Sequence, residues 1–277
     1  MKIKITTLTE NTANYGVIAE WGLSLLVEVD DYKILMDTGL GRSVAYNAKA
    51  MSVDLSKIDC IVISHGHADH TGGLKDVLQI RGKVDIYAHP DIWTDKHAGR
   101  GPGVPPQRIG VPFPRAELEA LGAKFHLSKG PFYLKDNILT TGEVPLQNDF
   151  EEIENNLFVK ENGELKPDPL ADDLSLIIKA EFGLVVIAGC AHRGIINTIR
   201  HAQQITGEKK VYAVIGGIHL VRAGDERIFR TIAELQEIGV QKLGVSHCTG
   251  FKASARLAEA FGNIFFLNNA GSRFVLP

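Results

Sequence analysis

Cysteine is scarce: Cys60, Cys190 and Cys248 are the only three in a chain of 277 residues. Their number is odd and their spacing scattered, so no disulfide framework is read from them and a reducing, cytoplasmic setting is expected. Long apolar runs are missing too. No stretch reaches the roughly 18 uninterrupted apolar residues of a membrane helix. The opening Met1-Lys2-Ile3-Lys4-Ile5 alternates like a strand, with no hydrophobic signal core behind it. Nor is there a marked excess of either charge, since 30 Lys and Arg against 33 Asp and Glu leave a formal −3. That balance offers no general attraction to nucleic acid or to an acidic membrane, and neither is expected as a partner. Hydrophobic residues make up 44% and charged residues 23%. This suits a soluble α/β protein with ample apolar content for a sizeable core.

Histidine, by contrast, is concentrated. Three of the ten fall within Ser64-His65-Gly66-His67-Ala68-Asp69-His70, directly after the apolar run Ile61-Val62-Ile63. A short β-branched run reads as a buried strand, and Gly66 lets the backbone turn sharply where it ends. The imidazoles and the carboxylate then project into one small volume at the strand's C-terminal edge. Neutral imidazole suits zinc, iron and nickel, and a carboxylate compensates the charge of a divalent ion. Four ligands exceed what one catalytic ion with an open position takes, so the cluster points to two ions. The plainer alternative, loop histidines that bond only water, must meet the desolvation cost of burying several imidazoles and a carboxylate with no ion among them.

The rest of the chain reads as two halves of similar character. Residues 2–8 alternate, and Leu23 to Val29 with Lys33 to Met36 form two strands joined at Asp30-Asp31, the second ending in Asp37-Thr38-Gly39. A helix is expected over 43–51, another from Leu74 to Gln79, and a strand from Val84 to Ala88 that ends at His89-Pro90. Residues 98–115 hold five prolines and four glycines with little periodicity, and read as an irregular loop and a candidate lid. In the second half, Leu174 to Ala180 and Leu184 to Ile187 form a hairpin running into Gly189-Cys190-Ala191-His192. Helices near 194–206 and 225–238 alternate with the strands Val211 to Ile215 and Lys242 to Val245. Those strands end at Gly216-Gly217-Ile218-His219 and Ser246-His247-Cys248-Thr249-Gly250. Strand after strand thus delivers a histidine to the same kind of edge, where ligands gather in layered α/β folds.

The H-x-H-x-D-H cluster, with a preceding strand that ends in Asp37-Thr38-Gly39, resembles the metallo-β-lactamase superfamily. The resemblance implies an αββα sandwich, here a single domain over residues 1–277 whose two halves each supply ligands. Asp37-Thr38-Gly39, Ser64 to Gly73 with Leu74, Gly189 to His192 and His247-Cys248 together look like one subgroup, as does the Gly271-Ser272-Arg273 ending. Its members are known as 7,8-dihydropterin-6-methyl-4-(β-D-ribofuranosyl)aminobenzene-5′-phosphate synthases or simply as metal-dependent hydrolases.

Carried over position by position, the resemblance implies that His65 and His67 hold one ion. Asp69 and His70 would hold the second, with His247 completing it, and Asp69 is also the candidate catalytic carboxylate. A third histidine usually lies in a G-H-T segment between the halves. Thr141-Gly142-Glu143-Val144-Pro145 has none, and His192 is the natural replacement. Cys190 stands where a bridging aspartate is usual, and is either a ligand or a small apolar packer. Asp37 is expected to hold the other nitrogen of a ligand histidine. His219, Arg193, Glu143 and Arg273 are candidate substrate contacts, His89 a packing residue, and His97, His126 and His201 surface residues. The expected cofactors are two divalent ions, zinc first, with iron or manganese as alternatives. The expected partner is a small, phosphorylated molecule. Metal-dependent hydrolysis or phosphoryl-linked transfer on such a substrate is the leading expectation, the pterin synthase being its most specific version. A diiron redox enzyme of the same fold and a non-catalytic metal-binding protein are the alternatives.

Overall fold

The computed structural model describes residues 1–277. One seven-stranded sheet runs, edge to edge, through Arg273–Leu276, Ile3–Thr9, Ser24–Val29, Tyr32–Met36, Cys60–Val62, Val84–Ala88 and Ala123–Leu127. Its strands are antiparallel up to Tyr32–Met36 and parallel beyond. A second runs through Phe265–Leu267, Lys242–Ser246, Val211–Gly217, Gly183–Ala188, Ser175–Ala180, Ile138–Thr140 and Tyr133–Lys135. Here the first four strands are parallel and the rest antiparallel.

Side-chain alternation sets the layers, because neighbouring residues on a strand face opposite ways. Leu26, Leu35, Ile61 and Ile86 pack with Val44, Leu74, Val77 and Leu118 of the helices Val44–Ala50, Leu74–Arg81 and Arg115–Ala120. Val27, Ile34, Met36 and Val62 face the other way, onto Leu176, Ile178, Val185 and Ile187 of the second sheet. Ile177, Val186 and Val214 turn outward onto Ile196, Ile199, Leu235 and Leu257 of the helices Ile195–Thr206, Asp225–Ile238 and Phe251–Phe261. Three apolar clusters therefore separate four layers, helices on sheet on sheet on helices. Strands buried on both faces, such as Leu184-Val185-Val186-Ile187, need an unbroken apolar run, which is why period-2 patterning is absent there. No helix is long and apolar enough to cross a membrane.

Most of the 98–115 stretch is irregular, but it carries one short strand. Gln107–Arg108 pairs with Lys96–Ala98, which pairs with Leu157–Glu161 and through it with Glu164–Pro167. The result is a four-stranded arm. Glycine and proline punctuate its sequence, while its partner strands come from far along the chain, so no local pattern announces it. The arm reaches the histidine cluster: Ala68 N–H donates to Ile109 O at 2.7 Å, and His67 bridges to Gly110.

Candidate metal centre

The histidine cluster begins where the strand Cys60–Val62 ends. Gly66 is packed so tightly that a Cβ there would fall on the carbonyl of Ile92, and its N–H donates to Asp172 Oδ2 at 2.8 Å. The chain then enters the short helix Ala68–Thr71, capped by His67, so Asp69 and His70 return over the space that His65 and His67 face. From the second half, Gly183–Ala188 leads to Cys190 and His192, and Lys242–Ser246 leads to His247. Asp37, Ala191, His219 and His247 all hold positive φ, between 44° and 59°. Non-glycine residues rarely adopt this conformation, and it clusters at functional sites.

Two groups of donor atoms result. His65 Nε2 lies 3.3 Å from His192 Nε2 and 2.9 Å from His67 Nδ1. His70 Nε2 lies 3.2 Å from both His247 Nε2 and Cys190 Sγ, and His247 Nε2 lies 3.4 Å from Asp69 Oδ2. Cys190 Sγ sits within 4.8 Å of the donor atoms of His65 and His192 and of those of His70 and His247.

The surrounding hydrogen bonds fix which nitrogens carry protons. A carboxylate accepts only, so His70 Nδ1–H donates to Asp37 Oδ2 at 2.7 Å, which leaves Nε2 as the nitrogen that faces the cluster. Ser64 donates its hydroxyl to the same oxygen at 2.7 Å, and so accepts from His65 Nδ1–H at 2.9 Å, which bares His65 Nε2. Asn11 Oδ1 already accepts from Gly22 N–H, and His247 Nδ1–H donates to it at 3.0 Å, baring His247 Nε2. Ring nitrogens of His65, His67, His70, His192 and His247 thus converge in a buried space, while the opposite nitrogens of His67 (Nε2) and His192 (Nδ1) have no partner. Facing acceptors repel unless a cation lies among them. Zinc–nitrogen bonds of about 2.0–2.1 Å in tetrahedral array place ligands roughly 3.3–3.4 Å apart, close to the separations seen. The donor set fits divalent ions.

Burial, aided by neighbouring rings, holds the His65 and His192 pKa values well below the ordinary imidazole value and presses that of His67 down to about 3. Neutral rings are the ligating form. Burial also opposes charge on His70, but the Asp37 carboxylate bonded to it prevails and lifts its pKa to about 9, so an ion bound at Nε2 would displace a proton. Burial raises the Cys190 thiol.

The Lactamase_B family model, described as the metallo-beta-lactamase superfamily, matches residues 22–199. The chain belongs to this superfamily. It is 36% identical to the 7,8-dihydropterin-6-methyl-4-(beta-D-ribofuranosyl)-aminobenzene-5'-phosphate synthase of Methanocaldococcus jannaschii, across 97% of this chain and 95% of that protein. An uncharacterized protein of the same organism is 32% identical across 92% and 94%. The crystal structure of Tm1679, a metal-dependent hydrolase of the beta-lactamase superfamily, superposes with a TM-score of 0.84 at 27% identity, covering 98% of each chain.

As a metallo-beta-lactamase superfamily member, the chain carries a cavity of about 640 Å³ over the cluster. His67, Asp69, Cys190, His192 and His247 line it. His219 lines it as well, its ring 3.9 Å from that of His192 and Nε2 3.4 Å from Glu154 Oε1. Three other expected substrate contacts are not brought there. Arg193 donates to the carbonyls of Val144 and Pro169. Glu143 pairs with His89 at 3.0 Å and Lys129 at 3.5 Å. Arg273 lies on the edge strand of the first sheet and donates to Met51 O. Adjacency to a ligand in sequence says nothing about where the next side chain turns. His89 is buried and accepts from Asp91 N–H at 3.1 Å. His97, His126 and His201 are half-buried rather than surface residues.

Sequence reasoning missed the supports. Ser64 connects His65 to Asp37, and the indole N–H of Trp21 donates to Asp69 Oδ2 at 2.9 Å. Lys96, 1% exposed, bonds Asp168 at 2.8 Å and Asp172 at 2.9 Å, and so ties the arm to the carboxylate that holds Gly66. Cys248 groups with Cys190 and His219 within 4.8 Å. Its sulfur fills the space where a Cβ on Gly217 would come within 2.7 Å.

Proposed function

We propose that the protein is a dinuclear metal-dependent enzyme that hydrolyses or transfers phosphate-linked groups on a small anionic substrate. In its most specific form it would join a pterin methyl diphosphate to an aminobenzene riboside phosphate. The reading rests chiefly on one observation: buried imidazole, thiol and carboxylate donor atoms from both halves converge at the floor of an open cavity. His65, His67 and His192 would hold one ion, and Asp69, His70, His247 and Cys190 the other; the Cys190 sulfur lies within 4.8 Å of the donor atoms of His65 and His192 as well as those of His70 and His247. Ions so held would supply Lewis acidity, lowering the pKa of a bound water and offsetting the charge of a departing diphosphate. An open wall beside the ligands supports catalysis over a closed structural site.

The chain's own residues supply order. Asp37 and Ser64 hold His70 and His65 in the ligating tautomers, and Trp21 fixes Asp69. In the synthase version the aromatic amine forms a C–N bond at the pterin methylene, the C–O bond to diphosphate breaks, and the amine proton leaves to solvent. The relative's name supports that version.

Elemental analysis should find two ions per chain, falling to about one or fewer in His192→Ala. Turnover of phosphodiester, lactone and pterin diphosphate substrates should separate wild type from His65→Ala. Equal background rates on all three would reject both the hydrolase and the synthase readings, and unchanged stoichiometry in His192→Ala would reject the ligand assignment.

A further inference from the structure

The cavity walls differ sharply in chemistry. Arg100 and Arg108 of the arm and Arg222, three residues beyond His219, are among its lining residues. The whole chain carries a formal −3, so three guanidinium groups around one opening are a local reversal of charge. The carboxylates lining the same cavity are engaged: Asp69 receives the Trp21 indole and faces His247, and Glu154 pairs with His219. Arg108 is engaged by Asp95 at 3.1 Å and by Val111 O at 2.9 Å, whereas Arg100 bonds only the neutral Gln107, and Arg222 donates to the neutral Asn156 side chain at 3.2 Å and forms no ion pair. Trp21, Leu40 and Val221 also line the cavity, each about half exposed, and the Trp21 ring centroid lies 5.2 Å from that of His247. Large apolar side chains left open at the mouth of a polar site serve as a contact surface for an apolar body.

We infer that this cavity takes a two-ended aromatic substrate: a ring against Trp21, Leu40 and Val221, and a terminal phosphate monoester, remote from the reacting centre, held by Arg100, Arg222 and Arg108. Guanidinium forks match phosphate geometry bidentately, and removing one charge-assisted contact weakens binding by about 10-fold or more. This inference rests on the proposed function for the identity of the reacting end. The phosphate-binding wall is a separate claim.

The test uses the metal-loaded protein and two acceptors that differ only in the phosphate: 4-(β-D-ribofuranosyl)aminobenzene 5′-phosphate and its dephosphorylated form. Arg100→Ala/Arg222→Ala leaves the ligand cluster and the Arg108 pair intact. Calorimetric titration should show wild type favouring the phosphorylated compound by about 100-fold, and the double variant losing most of that preference while binding the dephosphorylated compound as before. With pterin diphosphate present, the same variant should raise KM for the phosphorylated acceptor and leave kcat within about twofold. Equal binding of the two compounds by wild type, or an unchanged preference in the variant, would overturn the inference. If the binding preference behaves as expected but no condensation occurs, the synthase reading fails and the phosphate wall stands.

Discussion

Asp37 uses both carboxylate oxygens at the centre of the site. Oδ1 accepts the Ser64 N–H at 2.7 Å, and Oδ2 accepts from Ser64 Oγ and His70 Nδ1. One carboxylate therefore sets the tautomer of a histidine in each donor group. Asp37→Asn should weaken metal binding by about 10–100-fold, read by competition with a chromophoric chelator. The same pair dictates a pH profile for the chelator-stripped protein. His70 has a folded pKa of about 9, above the unfolded value of about 6.5. Its contribution, about 3 kcal/mol, is fully present below pH 6.5 and disappears as pH rises through 9. His67, depressed to about 3, acts oppositely, its stability being lost as pH falls from 6.5 toward 3. Stability of the stripped protein should thus peak near pH 6.5 in urea titrations, and Asp37→Asn should flatten the alkaline limb. A wild-type profile flat between pH 6.5 and 9 would contradict the network.

Among the elements, the arm is where the sequence was least readable. The central strands announced themselves because a buried strand needs a continuous apolar run, and Cys190, His192 and His247 stood at the ends of such runs. The same logic placed Asp37 beside the cluster. It could not place Arg100, Arg108 or Lys96, whose positions depend on pairing between Lys96–Ala98 and Leu157–Glu161 and on no local period. It also misdirected Arg193, whose guanidinium turns to backbone carbonyls. Lys96 offers a test of how firmly the arm is joined to the cluster. Lys96→Met leaves Asp168 and Asp172 buried without their cation, a change that costs about 3–5 kcal/mol. Urea unfolding should show that loss, and Lys96→Met/Asp172→Asn should recover part of it. Metal affinity should fall in the single variant, because Asp172 also holds the Gly66 N–H.

Across the molecule, each donor group joins the two sheets. His65 and His67 come from the first half with His192 from the second, and His70 with Cys190 and His247. Bound ions would therefore act as cross-links between halves whose main other bond is the apolar layer of Val27, Met36 and Val62 against Leu176, Val185 and Ile187. At a free metal concentration about 100 times Kd, each independently bound ion stabilises by about 2.7 kcal/mol. Chelation should lower the thermal midpoint by several degrees, and re-addition of zinc should restore it. A midpoint indifferent to chelator would mean that the donor atoms hold no ion that matters to folding.

The spread of the donors along the chain also carries a consequence for biosynthesis. His65 emerges early, whereas His247 lies near the C-terminal end. At about 5–20 residues per second, roughly 10–40 s separate the two during translation. The first donor group is complete once His192 is made, whereas the second needs His247 and cannot assemble until the late strand Lys242–Ser246 is made. Capture of a second ion would then be a late event, and a ribosome stalled short of residue 247 would hold a chain able to offer only the first of the two donor groups.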